Sequence, residues 1–98
     1  MGIWVCGEVL IDLIPVAPGS TDRTPHVGGG PANTAKALAR LGHDVQFIDG
    51  ISNDAYGVMS RDELVNDEVK LDLARTSDLP TALAIVSLDN NGSASYEF

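Results

Sequence analysis

Apolar and polar positions alternate along the chain in two ways that together predict a mixed α/β protein. Short apolar or alternating runs are typical of strands, and longer runs with helical spacing are typical of helices. The predicted strands are Ile3 to Val9, Leu10 to Ile14, Val45 to Ile48, Val69 to Leu73, Thr81 to Leu88 and Ala94 to Phe98. The predicted helices are Pro31 to Leu41, ended by Gly42, and Tyr56 to Val65, with Asp54 as the N-cap.

Smaller features complete this pattern. Pro15 to Thr24 is predicted to be a loop, and Pro25 to Val27 a short extended lead into three glycines. The Asn91-Gly92 pair predicts a hairpin, because this dipeptide tolerates the positive φ angles of a type I′ turn. In the second helix, Val58, Arg61, Asp62 and Val65 are expected on one stripe, with Met59 beside it.

The balance of strands and helices bears on domain organisation. A parallel sheet needs both faces covered, and two helices cover little of it. The chain also stops at Phe98, in the middle of an alternating strand. We therefore expect residues 1–98 to be the N-terminal part of a larger α/β protein.

Two features carry candidate chemistry. Asp12 stands inside the apolar run Leu-Ile-Asp-Leu-Ile, and a buried carboxylate needs polar partners. Gly28-Gly29-Gly30-Pro31 is a bare backbone turn that leads into a helix N-terminus, whose unpaired N–H groups and positive dipole end can meet an anion or a set of hydroxyls. Asn33 follows in the first turn of that helix.

These residues suit a sugar better than a phosphate. Ligands of open α/β sheets bind beyond the carboxyl ends of strands, and Asp12 is placed at the end of the first core strand. An aspartate can accept two hydrogen bonds from a vicinal diol, and Asn33 offers both a donor and an acceptor. No Lys or Arg stands in the glycine turn. The alternative is structural: a turn for the glycines and capping roles for Asp12 and Asn33.

Competing motifs are incomplete. The spacing Gly28-x-Gly30-x-x-Asn33 lacks the third glycine of a dinucleotide fingerprint. The chain contains no Gly-Lys-Ser/Thr, and no Cys/His cluster has the spacing of a metal site. We therefore expect neither a Walker-type phosphate loop nor a protein-bound metal.

Composition narrows the partners and the compartment. The formal net charge of −8 disfavours nucleic acid and anionic membranes. No apolar run approaches the ~20 residues of a membrane span. The single cysteine, Cys6, excludes an internal disulfide and favours a reducing compartment, the cytoplasm. Cys6 itself is expected to be a small core residue.

Together the motifs resemble those of a known family. Gly28-Gly29-Gly30-Pro31-Ala32-Asn33-Thr34-Ala35, with Gly42 after six further residues, is similar to the first signature of the ribokinase-like (PfkB) carbohydrate kinases. The segments from Gly7 to Asp12, from Ile48 to Gly57 and from Pro80 to Val86 resemble that family's framing segments. Ser52 departs from the pattern, because the signature usually has glycine there. Within the family, the sequences of these motifs resemble those of fructokinase-like members most.

The resemblance implies a fold and a division of labour. The fold would be the N-terminal portion of a Rossmann-like ribokinase fold, with a small β-sheet lid drawn from segments near 13–27 and 81–98. Asp12, Gly29, Gly30 and Asn33 would bind the sugar. The family's catalytic aspartate lies in a C-terminal Gly-Ala-Gly-Asp motif, which this chain lacks together with the ATP-binding elements. No catalytic residue is therefore assigned to this chain.

The implied activity is ATP-dependent phosphorylation of a sugar hydroxyl, with ATP and Mg²⁺ as cofactors of the full-length enzyme and fructose as the first candidate substrate. This chain would supply the sugar-binding half and would not be active alone. The alternatives are a kinase for another furanose, a nucleoside or a keto-deoxy sugar acid, and a non-catalytic sugar-binding or interaction module. A homodimer through the lid strands is a further expectation.

Overall fold

Eight strands and two helices occur in residues 2–98, the part of the chain that this computed structural model describes. The first half contains β1 (Ile3–Cys6), β2 (Leu10–Pro15), β3 (Arg23–Gly28), α1 (Gly30–Arg40) and β4 (Val45–Ile48). The second half contains β5 (Gly50–Ser52), α2 (Ala55–Asn66), β6 (Arg75–Ser77), β7 (Leu83–Leu88) and β8 (Ala94–Glu97).

The strands form three small sheets. β1 and β4 pair in parallel, and so do β5 and β6. The remaining strands form a four-stranded sheet in the order β3-β2-β7-β8, which we call the outer sheet. Within it β2 runs antiparallel to β3 and parallel to β7, and β8 returns antiparallel to β7. This mixed α/β arrangement confirms the predicted fold class.

The hydrophobic core lies where α1 and α2 meet the strands. Three alanines on one face of α1, Ala32, Ala35 and Ala39, are buried, and their small side chains let the helix approach β1 and β4 closely. Phe47 of β4 and Leu64 of α2 are fully buried in the same cluster. Ile11 and Val27 extend it into the base of the outer sheet, so β2 and β3 are anchored by apolar packing.

The first predicted strand is shorter in the structure, because β1 ends at Cys6, whereas β2 begins at Leu10 as predicted. The backbone leaves β1 after Cys6, where the Gly7 N–H donates to Ile48 O, and it enters a different sheet at Leu10. The expectation that Ile3 to Val9 is buried on both faces is wrong, because the side chains of β1 alternate between half-buried and exposed and only Val9 of this range is buried. The prediction of a core position for Cys6 is also wrong, since Cys6 is exposed together with Trp4 on the face of β1 opposite the core.

Three local predictions also fail. Residues 69–73 form a turn with a single bridge from Lys70 to Gln46, because the Ala74 N–H closes back on Leu71 O. β3 begins at Arg23, inside the predicted loop. The hairpin exists, but Gly92 is its residue with positive φ (+77°) and Asn91 is not, so the turn is not type I′.

The second helix faces its neighbours with small residues. Gly57 and Ser60 are buried with Leu64, whereas Val58 and Val65 of the predicted stripe are exposed. The predicted N-cap is confirmed, since the Asp54 side chain accepts a hydrogen bond from the Gly57 N–H. Within residues 2–98, no helix has the length and apolar content that crossing a membrane requires.

Candidate functional site

Asp12 lies in the middle of β2, within the outer sheet. The expectation that it ends a core strand is therefore wrong, because that strand stops at Cys6 and β2 belongs to another sheet. In the strand register, Asp12 lies opposite His26 of β3 and Ala84 of β7. Register partners present their side chains on the same face of a sheet, so the Asp12 carboxylate projects between these two neighbours.

The carboxylate of Asp12 packs against the backbone of the glycine turn. An added Cβ at Gly28 would overlap Asp12 Oδ2, so the oxygen occupies the space that a side chain would need. Asp12 is half-buried. None of the hydrogen bonds found among residues 2–98 uses its carboxylate. Both oxygens of the Asp12 carboxylate can therefore accept hydrogen bonds from a molecule outside residues 2–98.

Gly29 turns the chain into α1. Its φ of +99° lies in the left-handed region, and an added Cβ would lie 2.9 Å from the carbonyl oxygen of Glu8. A side chain is therefore excluded twice, by backbone conformation and by the close passage of the segment before β2. Gly29, one of the two glycines predicted to contact the sugar, is therefore also required by the backbone structure.

Gly30 is different from both of its neighbours. It is the first residue of α1 and is exposed, and apart from its chain neighbours and the adjacent helix backbone no heavy atom of residues 2–98 lies within 4 Å of the position that its Cβ would take. Neither packing nor conformation within residues 2–98 requires a glycine here. The result is open space directly in front of the helix N-terminus.

Asn33 lies in the first turn of α1. Its backbone N–H donates to Gly29 O at 2.9 Å, and its side chain is exposed. Its amide group makes no hydrogen bond to any residue of the described range 2–98. The structure thus places Asp12 against the glycine turn and Asn33 one helical turn beyond it, with polar groups free on both.

The charges around the turn favour hydroxyl groups over phosphates. The first turn of α1 has no acidic residue, and the nearest basic residue along the helix, Lys36, is paired with Glu63 and Asp67 of the α2 region. No arrangement of three or more His, Cys, Asp or Glu side chains suited to a metal ion occurs in residues 2–98. What remains is a carboxylate, an amide and bare backbone, which can hold a polyhydroxylated ligand.

A second polar junction, at the start of α2, was only half predicted. Besides capping α2, the Asp54 carboxylate accepts hydrogen bonds from the Thr81 hydroxyl at 2.6 Å and from the Thr81 N–H at 2.8 Å. These bonds from Thr81, with that from Gly57, lower the pKa of Asp54 to about 2. The sequence signals a cap through local spacing, but it carries no signal for a contact 27 residues away.

A cavity of about 200 Å³ lies beside this junction. Its walls are Glu8 and Val9 on one side, residues 49–52 with Ser60 on another, and Ser77 with residues 79–82 on the third. Asp49 fixes the first wall, because its Oδ2 accepts a hydrogen bond from the Val9 N–H at 3.3 Å. None of the four predicted sugar contacts is among these lining residues, but Glu8 and Val9, which form its first wall, pass directly beside Gly29.

Comparisons with known proteins agree on one family. The model of the pfkB family of carbohydrate kinases matches residues 2–97. A fructokinase of Klebsiella pneumoniae is 35% identical over 98% of this chain and 31% of its own length. An aminoimidazole riboside kinase of Salmonella typhimurium is 32% identical over 98% of this chain and 30% of its own.

A solved structure agrees in three dimensions. The fructokinase of Xylella fastidiosa with bound ATP superposes with a TM-score of 0.84 and 38% identity, over 99% of this chain and 32% of that one. The chain therefore spans about a third of the length of the relatives that it matches.

Proposed function

This chain belongs to the pfkB family of carbohydrate kinases, and from that membership we propose that it supplies the sugar-binding part of a kinase that transfers a phosphoryl group from ATP to a hydroxyl of fructose. The observation that carries the proposal is the Asp12 carboxylate, which lies against Gly28 without a hydrogen-bond partner among residues 2–98. Fructokinases among the relatives support fructose as the sugar.

Each predicted contact has a role in this proposal. Asp12 accepts hydrogen bonds from two hydroxyls of the sugar, and the amide of Asn33 contributes a donor and an acceptor. Gly29 and Gly30 let the ring approach the backbone N–H groups at the start of α1. The outer sheet acts as the lid, because β2 carries Asp12 and β7 borders it.

The transfer itself needs groups that we do not assign to residues 1–98. The sugar oxygen bonds to the γ-phosphorus as the bond from that phosphorus to the β,γ-bridging oxygen breaks, and the hydroxyl proton passes to a base. The residues present do not fit the phosphates of ATP, since the turn has no basic residue and Lys36 is paired. Asp12 holds the substrate, and we assign the base, ATP and Mg²⁺ to the full-length enzyme.

Calorimetric titration of the chain with fructose tests the proposal. We expect saturable binding that Asp12→Asn weakens by about tenfold or more, since the change removes acceptor charge from hydrogen bonds to the ligand. Asp62→Asn, at an exposed position of α2, is the control for the loss of one charge. Addition of ATP should neither change fructose binding nor yield phosphorylated sugar. Equal binding by Asp12→Asn would refute the assigned site.

The likeness to the aminoimidazole riboside kinase supports a second candidate, a ribose-containing nucleoside. Parallel titrations with fructose, ribose, a nucleoside and a keto-deoxy sugar acid separate the substrate classes by affinity. Sugar binding by a full-length protein that cannot consume ATP would instead favour a non-catalytic binding module.

Two further parts of the proposal concern assembly and compartment. We propose a homodimer through the strands of the outer sheet, and neither nucleic acid nor membrane as a partner of a chain with net charge −8. We also propose the cytoplasm as the compartment, because a lone cysteine on an exposed strand suits reducing conditions.

A further inference from the structure

The outer sheet is attached to the rest of the molecule in two places that differ in chemistry. At the first, β2 and β3 are anchored by the buried side chains of Ile11 and Val27. At the second, residues 78–82 lead from β6 into β7, and apolar packing is poor there until Leu83, the first residue of β7, which packs against the core. Leu79 is 74% exposed, and Pro80 and Ala82 are exposed as well. The 200 Å³ cavity lies directly against residues 79–82.

Hydrogen bonds to the start of α2 therefore hold the second attachment. Both oxygens of the Asp54 carboxylate reach Thr81, one to its hydroxyl and the other to its N–H. Asn53 adds an exposed bond from its Nδ2 to Asp78 Oδ1 at 3.1 Å and a backbone bond to Ser77 O. The two bonds from Thr81 to the Asp54 carboxylate are partly buried, whereas the bond from Asn53 to the Asp78 carboxylate is exposed to water. Exposed charged contacts contribute little, so Asp54 dominates this attachment.

The attachment continues directly to Asp12. Ala82, the residue after Thr81, accepts a hydrogen bond through its carbonyl from the Ile11 N–H at 3.0 Å. Asp12 follows Ile11 and lies opposite Ala84 in the β2–β7 register. A shift of residues 78–82 would thus change the strand neighbour of Asp12 and the angle at which β2 presents its carboxylate.

We propose that Asp54 is a positioning residue of the sugar site: its carboxylate fixes Thr81, and through β7 it holds Asp12 in its place against Gly28. Asp54 does not touch the sugar. The sugar-binding consequence rests on the proposed function, whereas the attachment itself rests on the hydrogen bonds alone.

Conservative variants separate this role from helix capping. Asn is as good an N-cap as Asp, so Asp54→Asn keeps the bond from Gly57. It replaces one acceptor with an NH₂ group, which cannot accept from the Thr81 N–H. Thr81→Val removes only the hydroxyl bond, and Thr81→Ser retains both bonds. Asp62→Asn again controls for charge.

Amide hydrogen exchange followed by NMR is the first measurement. In Asp54→Asn we expect exchange at Ile11 and the β2–β7 amides to accelerate by about tenfold, with the α2 amide of Val58 unchanged. Thr81→Val should show a smaller increase in the same amides, and Thr81→Ser should match the parent chain. Parent-like exchange at Ile11 in Asp54→Asn overturns the proposal, and so does loss of α2 protection in step with it, because that marks a capping defect.

Fructose titration of the same variants is the second measurement. The affinity for fructose should fall by about tenfold in Asp54→Asn, and in Thr81→Ser it should equal that of the parent chain. Faster exchange with unchanged affinity refutes the positioning role. If the parent chain binds no fructose, the proposed function and the sugar role of Asp54 both fail, while the exchange data still decide whether Asp54 holds β7.

Discussion

The three adjacent glycines at the start of α1 differ in why they lack side chains. At Gly28 the Asp12 carboxylate occupies the space that a side chain would need, and Gly29 adopts a left-handed φ of +99° beside Glu8. Gly30 has no neighbour within 4 Å of its Cβ position. Only the last of these positions is unexplained by the folded chain itself, so it is the one whose substitution reports on a ligand.

Gly30→Ala should therefore separate binding from folding. Ala at the first helical position is expected to leave the free energy of unfolding unchanged or slightly raised, because it restricts the unfolded chain. Fructose affinity should fall by about tenfold as the methyl group fills the space before the helix. Denaturant unfolding and calorimetry provide the two readouts.

The matched variant is Gly29→Ala. It should destabilise the chain by about 1–2 kcal/mol through the left-handed conformation alone, and further through contact with Glu8 O. If Gly30→Ala bound fructose as tightly as the parent chain, the sugar would not approach this backbone.

Asp54 also gives the molecule a defined acid response. Its pKa is about 2 in the folded chain, below the ordinary value of 3.8, because Thr81 and Gly57 donate to the carboxylate. A lowered folded-state pKa contributes stability that is fully present above pH ~4 and is lost as the pH falls toward 2. The pKa of Asp44 is lowered as well, by its hydrogen bond with Lys70. The comparison of parent and Asp54→Asn stabilities between pH 2 and 5 therefore isolates the Asp54 contribution, and a constant difference over this range would contradict it.

At the level of elements, the sequence predicts what periodicity and capping encode and misses what depends on tertiary contacts. Both helices were found, and Asp54 was identified as a cap. The sequence predicts separate strands on either side of Leu10, but it does not predict that β1 ends at Cys6 or that β2 joins a different sheet, because the change of sheet depends on contacts of Gly7 and Val9 with residues 48 and 49. β5 and β6 have three residues each, too few for any period to show.

The candidate site divides in the same way. The sequence alone marks Asp12, Gly30 and Asn33 as candidate site residues, because a run of glycines and an acid inside an apolar run are visible in the local sequence. Their spatial arrangement is not predicted correctly, since the sequence pattern places Asp12 at the end of a core strand and the structure places it in the middle of β2. The contact of Asp54 with Thr81 depends on β7 returning beside β2, which no local pattern announces.

Arg61 shows how an exposed-looking charge can hold two elements together. From α2 its guanidinium donates to Ser52 O at 2.9 Å and to Ile51 O at 2.7 Å, so it ties the helix to β5. Arg61→Ala should lower the free energy of unfolding by about 2 kcal/mol, as expected for lost hydrogen bonds from a charged donor. Arg75→Ala, at an exposed position of β6, is the control and should change stability by less than about 0.5 kcal/mol in the same urea titration. Equal effects of the two variants would show that charge, not the tie to β5, matters.

At the scale of the molecule, the distribution of exposed apolar side chains is uneven. Among residues 2–98, β8 is the last strand of the outer sheet and its four residues are all exposed. Tyr96 and Phe98 stack at this edge, with ring centroids 6.4 Å apart, and they are 60% and 86% exposed. An uncovered edge strand with adjacent aromatic rings is a pairing surface. The proposed homodimer would use it.

Association through this edge makes a prediction that a second exposed aromatic controls. The double substitution Tyr96→Ser and Phe98→Ser should convert the dimer to a monomer in sedimentation velocity, because it removes the apolar area that pairing would bury. Trp4→Ser removes an equally exposed ring from β1, in a different sheet, and should leave the dimer intact. A dimer that survives the double substitution but dissociates with Trp4→Ser would place the contact on β1 and leave the outer sheet free to move over the sugar.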